Sequence, residues 1–219
     1  KHRYLWVFKP LTHLSDEKKQ PAHYLVVPAG GTGLVLRGLR KEPATIGKWH
    51  LGWDLTYKEG KAKTVDNIDF TKRVANGPTD RGFDYFYGLT SPSGPPHLYM
   101  VNDMAEKQPN TRFEESGGGL YKSKGGIGHS DWSADGMQPH LADKMLEYLD
   151  ENKDSDKPFF LYMALTAPHI QLFPSKEFKG KSKIGDYGDL VMMIDDIVGR
   201  DNRKLKEIGK YDNTIVMFA

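Results

Sequence analysis

The chain has 219 residues, of which 38% are hydrophobic and 11% aromatic, a formal net charge of +2, and no cysteine. This composition specifies a globular protein able to bury a sizeable core; it excludes a disordered chain, disulfides, thiolate metal sites and a cysteine nucleophile. The small charge gives no reason to expect nucleic acid or a membrane surface as partner, and no apolar run approaches the ~18 residues of a membrane-spanning helix.

Residues 1–32 are the least legible part and are set apart from 33–219. Lys1 to Gln20 mixes charged and apolar residues and lacks the continuous apolar centre of a signal peptide. Tyr4 to Phe8 has strand character and stops at Pro10, the segment from Leu11 to Gln20 is polar, and Pro28 to Gly33 is loop material. The glycines there lack the G-K-[ST] of a phosphate-binding loop and the spacing of a dinucleotide fingerprint. Leu34, Val35, Leu36 and Leu39, followed by Arg40-Lys-Glu42, predict a short helix ended by Pro43. A strand then leads into Lys48. Residues 53–76, rich in lysine and aspartate, predict a surface excursion, and Gly82 to Gly88 an aromatic segment of the core or of a subsite wall.

Ser91 to Pro96 is turn-rich, and Gln108 to Ser133, with its glycines at 117–119 and 125–126, predicts a long flexible insertion of the kind that faces substrate. Leu141, Met145, Leu146 and Leu149 form one stripe of an amphipathic helix from Pro139 to Asn152. Phe159 to Thr166 is a nearly continuous apolar run, the pattern of a strand covered on both faces. Residues 182–208 predict the longest helix, with Ser182 as a possible cap and Leu190, Ile194, Ile197, Leu205 and Ile208 on its apolar stripe. Asp201 falls on that stripe. A buried, unpaired carboxylate is costly, so this turn is expected to be bent out, paired, or misassigned in the sequence. Asn213 to Phe218 is a further strand. Buried-type strands alternating with helical patterns define an α/β class.

Chemistry concentrates at two strand ends. Lys48 and His50 stand two positions apart, so in an extended segment they project from one face and reach one anion together, one as a fixed charge and the other as a proton carrier. His169 directly follows the Phe159 strand, and in open α/β sheets ligands bind beyond the C-terminal ends of strands. Asp189, Asp195 and Asp196 lie on one helix without a histidine or a converging loop, which suits a structural or solvated role rather than a metal site. His97, His129 and His140 read as solvated imidazoles, and Asp80 and Arg81 as a turn.

Ile46-Gly-Lys-Trp-His-Leu-Gly52 resembles the second signature of the sulfatase family. Gly77-Pro-Thr-Asp-Arg-Gly-Phe-Asp-Tyr-Phe-Tyr-Gly88 is similar to its G-P-x-x-x-G-F-D-x-F-x-G segment, and Pro158 to His169 to its strand ending in A-P-H. Tyr187-Gly-Asp-Leu-Val with Asp195-Asp-Ile-Val-Gly199 resembles its Y-G-D helix, and Asp212 to Phe218 the strand before its second metal motif. These stretches fall in the family's order over about residues 43–218, and the chain is identified as a member on that ground.

The resemblance implies the alkaline-phosphatase-like sulfatase fold, a mixed sheet with helices on both faces, and hydrolysis of aryl or carbohydrate sulfate esters. By the same resemblance, Lys48 binds sulfate, His50 takes a proton from the formylglycine hydroxyl, and His169 contacts sulfate and helps protonate the leaving alcohol. The family's nucleophile is a formylglycine from a C/S-x-P-S-R motif, which this sequence lacks. Its calcium ligands, a D-D pair near the N-terminus and a D-N after the last strand, are expected outside residues 1–219, so the chain is expected to be an interior part of a longer sulfatase. The alternatives are a phosphonate or phosphodiester hydrolase of the same superfamily and a sulfatase-like binding module without catalysis. By resemblance the compartment is a lysosome, the cell exterior or the periplasm.

Overall fold

The computed structural model describes residues 23–27, 42–91, 94–169 and 171–218. The strand expected at 4–8 and the helix expected at 34–42 lie outside the described residues, apart from Glu42. Nine strands and two α-helices occur among the described residues. β1 (His23–Val27), β2 (Glu42–Lys48), β3 (Tyr85–Leu89), β4 (Met100–Val101), β5 (Met104–Ala105), β8 (Phe159–Ala164) and β9 (Thr214–Phe218) form one sheet. Its order is β5-β4-β3-β2-β8-β1-β9. β1, β2, β3, β8 and β9 run parallel, while β4 is antiparallel to both its neighbours, β3 and β5. The sheet is therefore mixed, as an α/β fold of this class requires.

β8 explains why the centre holds. All six of its residues, Phe-Phe-Leu-Tyr-Met-Ala, are buried. Side chains alternate across a strand, so Phe159, Leu161 and Met163 enter one core while Phe160, Tyr162 and Ala164 enter the other. Truncating a residue such as Leu161, fully buried, costs about 2–5 kcal/mol by transfer and cavity terms. The first core is roofed by α1 (Met137–Glu151) and α2 (Asp186–Glu207). The two helices are tied by Arg200 to Asp143 and by Lys204 Nζ to Asp150 at 3.1 Å. The second core is closed by residues 49–84, which contribute Trp49, Ile68, Phe70, Val74 and Phe83 and contain no α-helix.

That second roof corrects the reading of 53–76 as only a surface excursion. Its lysines and aspartates are mostly exposed, but Ile68, Phe70 and Val74 turn inward against β3 and β8. The insertion at 108–133 is likewise more ordered than expected: β6 (Thr111–Phe113) pairs antiparallel with β7 (Gly126–Gly128). α1 begins two residues before Pro139, which sits in the first turn where its missing N–H costs no intrahelical bond.

α2 starts at Asp186, and Ser182 is not its cap. The buried Asp189 carboxylate explains this, because it accepts from Gly180 N–H (2.7 Å) and Ser182 N–H (2.6 Å) and so fixes a separate turn ahead of the helix. Asp201 is neither bent out nor paired. α2 runs through it unbroken, the residue is 0% exposed, and neither carboxylate oxygen has a hydrogen-bond partner.

Candidate functional site

The parallel strands bring their C-terminal ends to one edge of the sheet, where β2 ends at Lys48 and β8 leads on to His169. Two glycines let the backbones there come close. Gly47 pairs with Gly88 and Ala164, at φ +124°, and a Cβ on it would stand 2.1 Å from the Ala164 carbonyl oxygen. A Cβ on Gly88 would stand 1.8 Å from the Gly47 oxygen. Beyond Lys48 the buried Trp49 donates its backbone N–H to Leu89 O (3.1 Å) and its indole N–H to Gly52 O (3.0 Å).

The chain turns inside that loop: His50 has φ 49°, the left-handed region, and is exposed. The expectation that Lys48 and His50 share a face of an extended segment is therefore corrected. The strand stops at Lys48, and a turn locked by Trp49 carries His50. On the neighbouring strand, His169 follows the cis Ala167–Pro168 peptide and donates its backbone N–H to Thr166 O (3.1 Å). Gln138, 2% exposed in the first turn of α1, braces this loop, its side-chain oxygen accepting from Ala167 N–H (2.8 Å) and Thr166 N–H (3.1 Å).

The charges of Lys48 and His169 both act on His50. Partial burial first, then the charge of Lys48, then His169, lowers the pKa of His50, so its imidazole is held neutral and able to accept a proton. Burial lowers the pKa of Lys48 as well, but from a starting value of 10.5. A lysine near imidazoles at the open edge of a sheet is suited to an oxyanion, with the imidazoles as proton carriers.

Calcium is a different matter. Among the described residues no group of three or more His, Asp or Glu side chains converges on a possible metal position. Lysine and imidazole are poor ligands for a hard, oxygen-seeking cation. β1 reaches the same edge between β8 and β9, yet the sequence holds no Asp or Glu from residue 18 to residue 41. The described residues do not fit a calcium site.

Asp189 holds the turn before α2, Asp195 is exposed, and Asp196 lies 3.8 Å from Arg203, all structural placements. His97 and His140 are not solvated. His97 is 1% exposed, donates to Lys124 O (2.7 Å) and stacks on Trp132 at 4.3 Å. His140 bonds the Tyr87 hydroxyl (2.7 Å), which in turn donates to Glu106 (2.8 Å), and it packs on Tyr99. His129 is tied to Asn110 and Asp131. Trp49 and Gln138 were missed as positioning groups. Gln138, a polar residue among the apolar positions of α1, was the visible signal.

Sheet order, edge and core together define an α/β protein of the alkaline-phosphatase-like architecture, as two solved structures show. One, from work on glycosaminoglycan metabolism by Bacteroides thetaiotaomicron, superposes with a TM-score of 0.63 at 22% identity, over 81% of this chain and 42% of the other. The PsFucS1 sulfatase of Pseudoalteromonas sp. gives a TM-score of 0.56 at 22% identity, over 81% and 34%. The sequence carries the assignment further: the family profile described as Sulfatase matches residues 35–219, and the chain belongs to the sulfatase family. It is 31% identical over 174 residues to the N-acetylgalactosamine-6-sulfatase of Rattus norvegicus, covering 80% of this chain and 29% of that protein. It is 30% identical over 187 residues to the uncharacterized sulfatase YdeN of Escherichia coli, covering 80% and 30%. The chain thus spans less than a third of the length of these relatives.

Proposed function

We propose that this chain contributes the lysine–histidine side of a site that hydrolyses sulfate esters, with carbohydrate sulfates favoured over aryl sulfates. The gathering of Lys48, His50 and His169 at the C-terminal edge of the sheet carries this reading. Lys48 neutralises charge on the sulfate oxygens, a contribution that grows in a partly dehydrated site. His169 donates a proton to the leaving alcohol oxygen, and His50, kept neutral, receives one on the opposite side of the cycle. The preference for sugars rests on relatives named N-acetylgalactosamine-6-sulfatase in several mammals and N-acetylgalactosamine-6-O-sulfatase in Bacteroides thetaiotaomicron, set against an arylsulfatase of Hemicentrotus pulcherrimus at 27% identity. The formylglycine nucleophile and calcium ion implied by the family resemblance are proposed to be held by residues other than those described. Among the described residues no helix is long and apolar enough to cross a membrane.

The test is His169→Ala in a full-length protein carrying the nucleophile, assayed on an N-acetylhexosamine sulfate and on 4-nitrophenyl sulfate. Loss of the proton donor lowers kcat by about 10²–10⁴-fold with folding preserved. Unchanged turnover removes His169 from the site. Sulfate binding without any turnover in the unmodified protein makes it a binding module, and faster cleavage of phosphodiesters makes it the related hydrolase.

A further inference from the structure

The roof of the second core carries the single Asn-Gly pair of the sequence, Asn76-Gly77. Asn76 is exposed and stands at φ 58°, the left-handed region that asparagine enters more readily than most side chains. Its side-chain amide donates to the Asp54 carboxylate. Beside that contact Asp54 N–H donates to Ala75 O (2.8 Å) and Ala75 N–H to Asp54 O (3.0 Å), an antiparallel bridge. The bridge fastens the chain just beyond His50 to the segment that delivers Val74 to the core. Trp53 covers Gly77, so that a Cβ there would stand 2.9 Å from its ring, and packs on Phe86 with centroids 5.5 Å apart.

Three features open Asn76 to an internal reaction. Gly77 has no Cβ to crowd its own nitrogen. Among the described residues that N–H donates to no backbone carbonyl. The contact with Asp54 is exposed, and water competes there for both partners, so the Asn76 side chain is free to turn toward the nitrogen. The other six asparagines all precede a residue with a side chain, β-branched after Asn67, Asn110 and Asn213. Asn102 shares the left-handed backbone at φ 55°, but Asp103 follows it and its side-chain oxygen is held by Phe86 N–H (3.0 Å).

We propose that Asn76 is a site of self-modification. The Gly77 backbone nitrogen attacks the Asn76 side-chain carbonyl carbon, and the side-chain nitrogen leaves as ammonia, carrying the Gly77 proton and closing a succinimide. Water then adds to either carbonyl of the ring and reopens it, giving aspartate or isoaspartate. One amide and one water become one carboxylic acid and one ammonia, with no cofactor or second enzyme. Either product sets a carboxylate against Asp54 where a donor stood, and isoaspartate also adds one atom to the main chain after Ala75. Both changes act on the Asp54–Ala75 bridge, so the modification releases the segment after His50 from the roof of the second core.

The test is to warm the folded protein beside a guanidinium-unfolded sample at mildly alkaline pH and digest both with trypsin. The peptide Val74–Arg81 is expected to gain one mass unit and to split into two products in both samples, while the peptides carrying Asn102 and Asn152 stay unchanged. The Asn76→Gly variant, which suits the same left-handed backbone, should show no such gain. Conversion of the unfolded sample alone, or of neither, overturns the site, because the native loop would then forbid ring closure or the pair would be inert. In the converted fraction, hydrogen exchange at the Asp54 and Ala75 amides should be at least about tenfold faster than in fresh protein, the equivalent of about 1.4 kcal/mol of local opening. Unchanged exchange at those two amides, with the mass gain present, overturns the release of the bridge.

Discussion

Asp201→Asn should stabilise the protein, by an amount that grows with pH. Asp201 is fully buried on the α2 stripe between Ile197 and Leu205, and its carboxylate oxygens are unpartnered. Burial lifts its pKa to about 8, with Arg200 opposing the shift and Asp196 adding to it. The sign follows from linkage. The folded state holds the proton up to about pH 8 and the unfolded chain releases it near 3.8, so stability from this group is complete below 3.8 and is lost as pH rises through the folded value. Each pH unit inside that window costs about 1.4 kcal/mol, so keeping Asp201 protonated in the fold at pH 7 costs about 4 kcal/mol, against about 1.6 at pH 5. Asparagine is isosteric and cannot ionise, so it removes the pH-dependent part. Urea unfolding at pH 5, 6 and 7, followed by circular dichroism with m held common, should show the advantage of Asp201→Asn widening by about 2–3 kcal/mol across the series. A difference that stays constant with pH would refute the reasoning, because Asp201 would then titrate alike in both states.

Replacing Lys48 by alanine should raise the pKa of His50, since it removes one of the charges that disfavour its imidazolium; the imidazole C–H shifts in a proton NMR titration report this. A pKa that stays put or falls would separate the two residues. Asp189→Ala leaves the N–H groups of Gly180 and Ser182 without their acceptor and should cost about 2–4 kcal/mol, with faster hydrogen exchange at those two amides. An unchanged denaturation midpoint would show that the turn holds without the carboxylate.

Legibility in the sequence followed the strength of local signals. β8 and α1 were plain because their apolar residues fill whole runs or stripes, and β9 was placed within one residue. β1 was passed over: His-Tyr-Leu-Val-Val is short, flanked by polar and glycine-rich stretches, and acquires its meaning only from partners far along the chain. Ser182 satisfied the rule for a cap, but its hydroxyl oxygen accepts from Ile184 N–H (3.1 Å) within a turn that Asp189, one turn into the helix, holds through the N–H groups of Gly180 and Ser182, and spacing alone does not show that the helix starts only after this turn. Lys48, His50 and His169 are nominated by motif, and the extended geometry expected for Lys48 and His50 does not hold. Alternation along a strand does not foresee a left-handed residue at position 50. The cavity between Ser116–Tyr121 and Leu172–Lys179 escaped notice because its walls come from segments some fifty residues apart, joined only when Leu172 reaches Leu120.

β1 alone separates β8 from β9, and it pairs with β9 at five consecutive positions, from His23–Thr214 to Val27–Phe218. During synthesis β1 leaves the ribosome long before β9 exists, so its edge waits with unpaired N–H and C=O groups while almost all the rest of the described chain is made. Completion of the sheet is therefore a step of high contact order, and the interval before it is when this part of the protein has most need of a chaperone. A fragment trimmed to the boundary of the family match at residue 35 would lack β1 altogether, and β9 would then have no strand among the described ones to join.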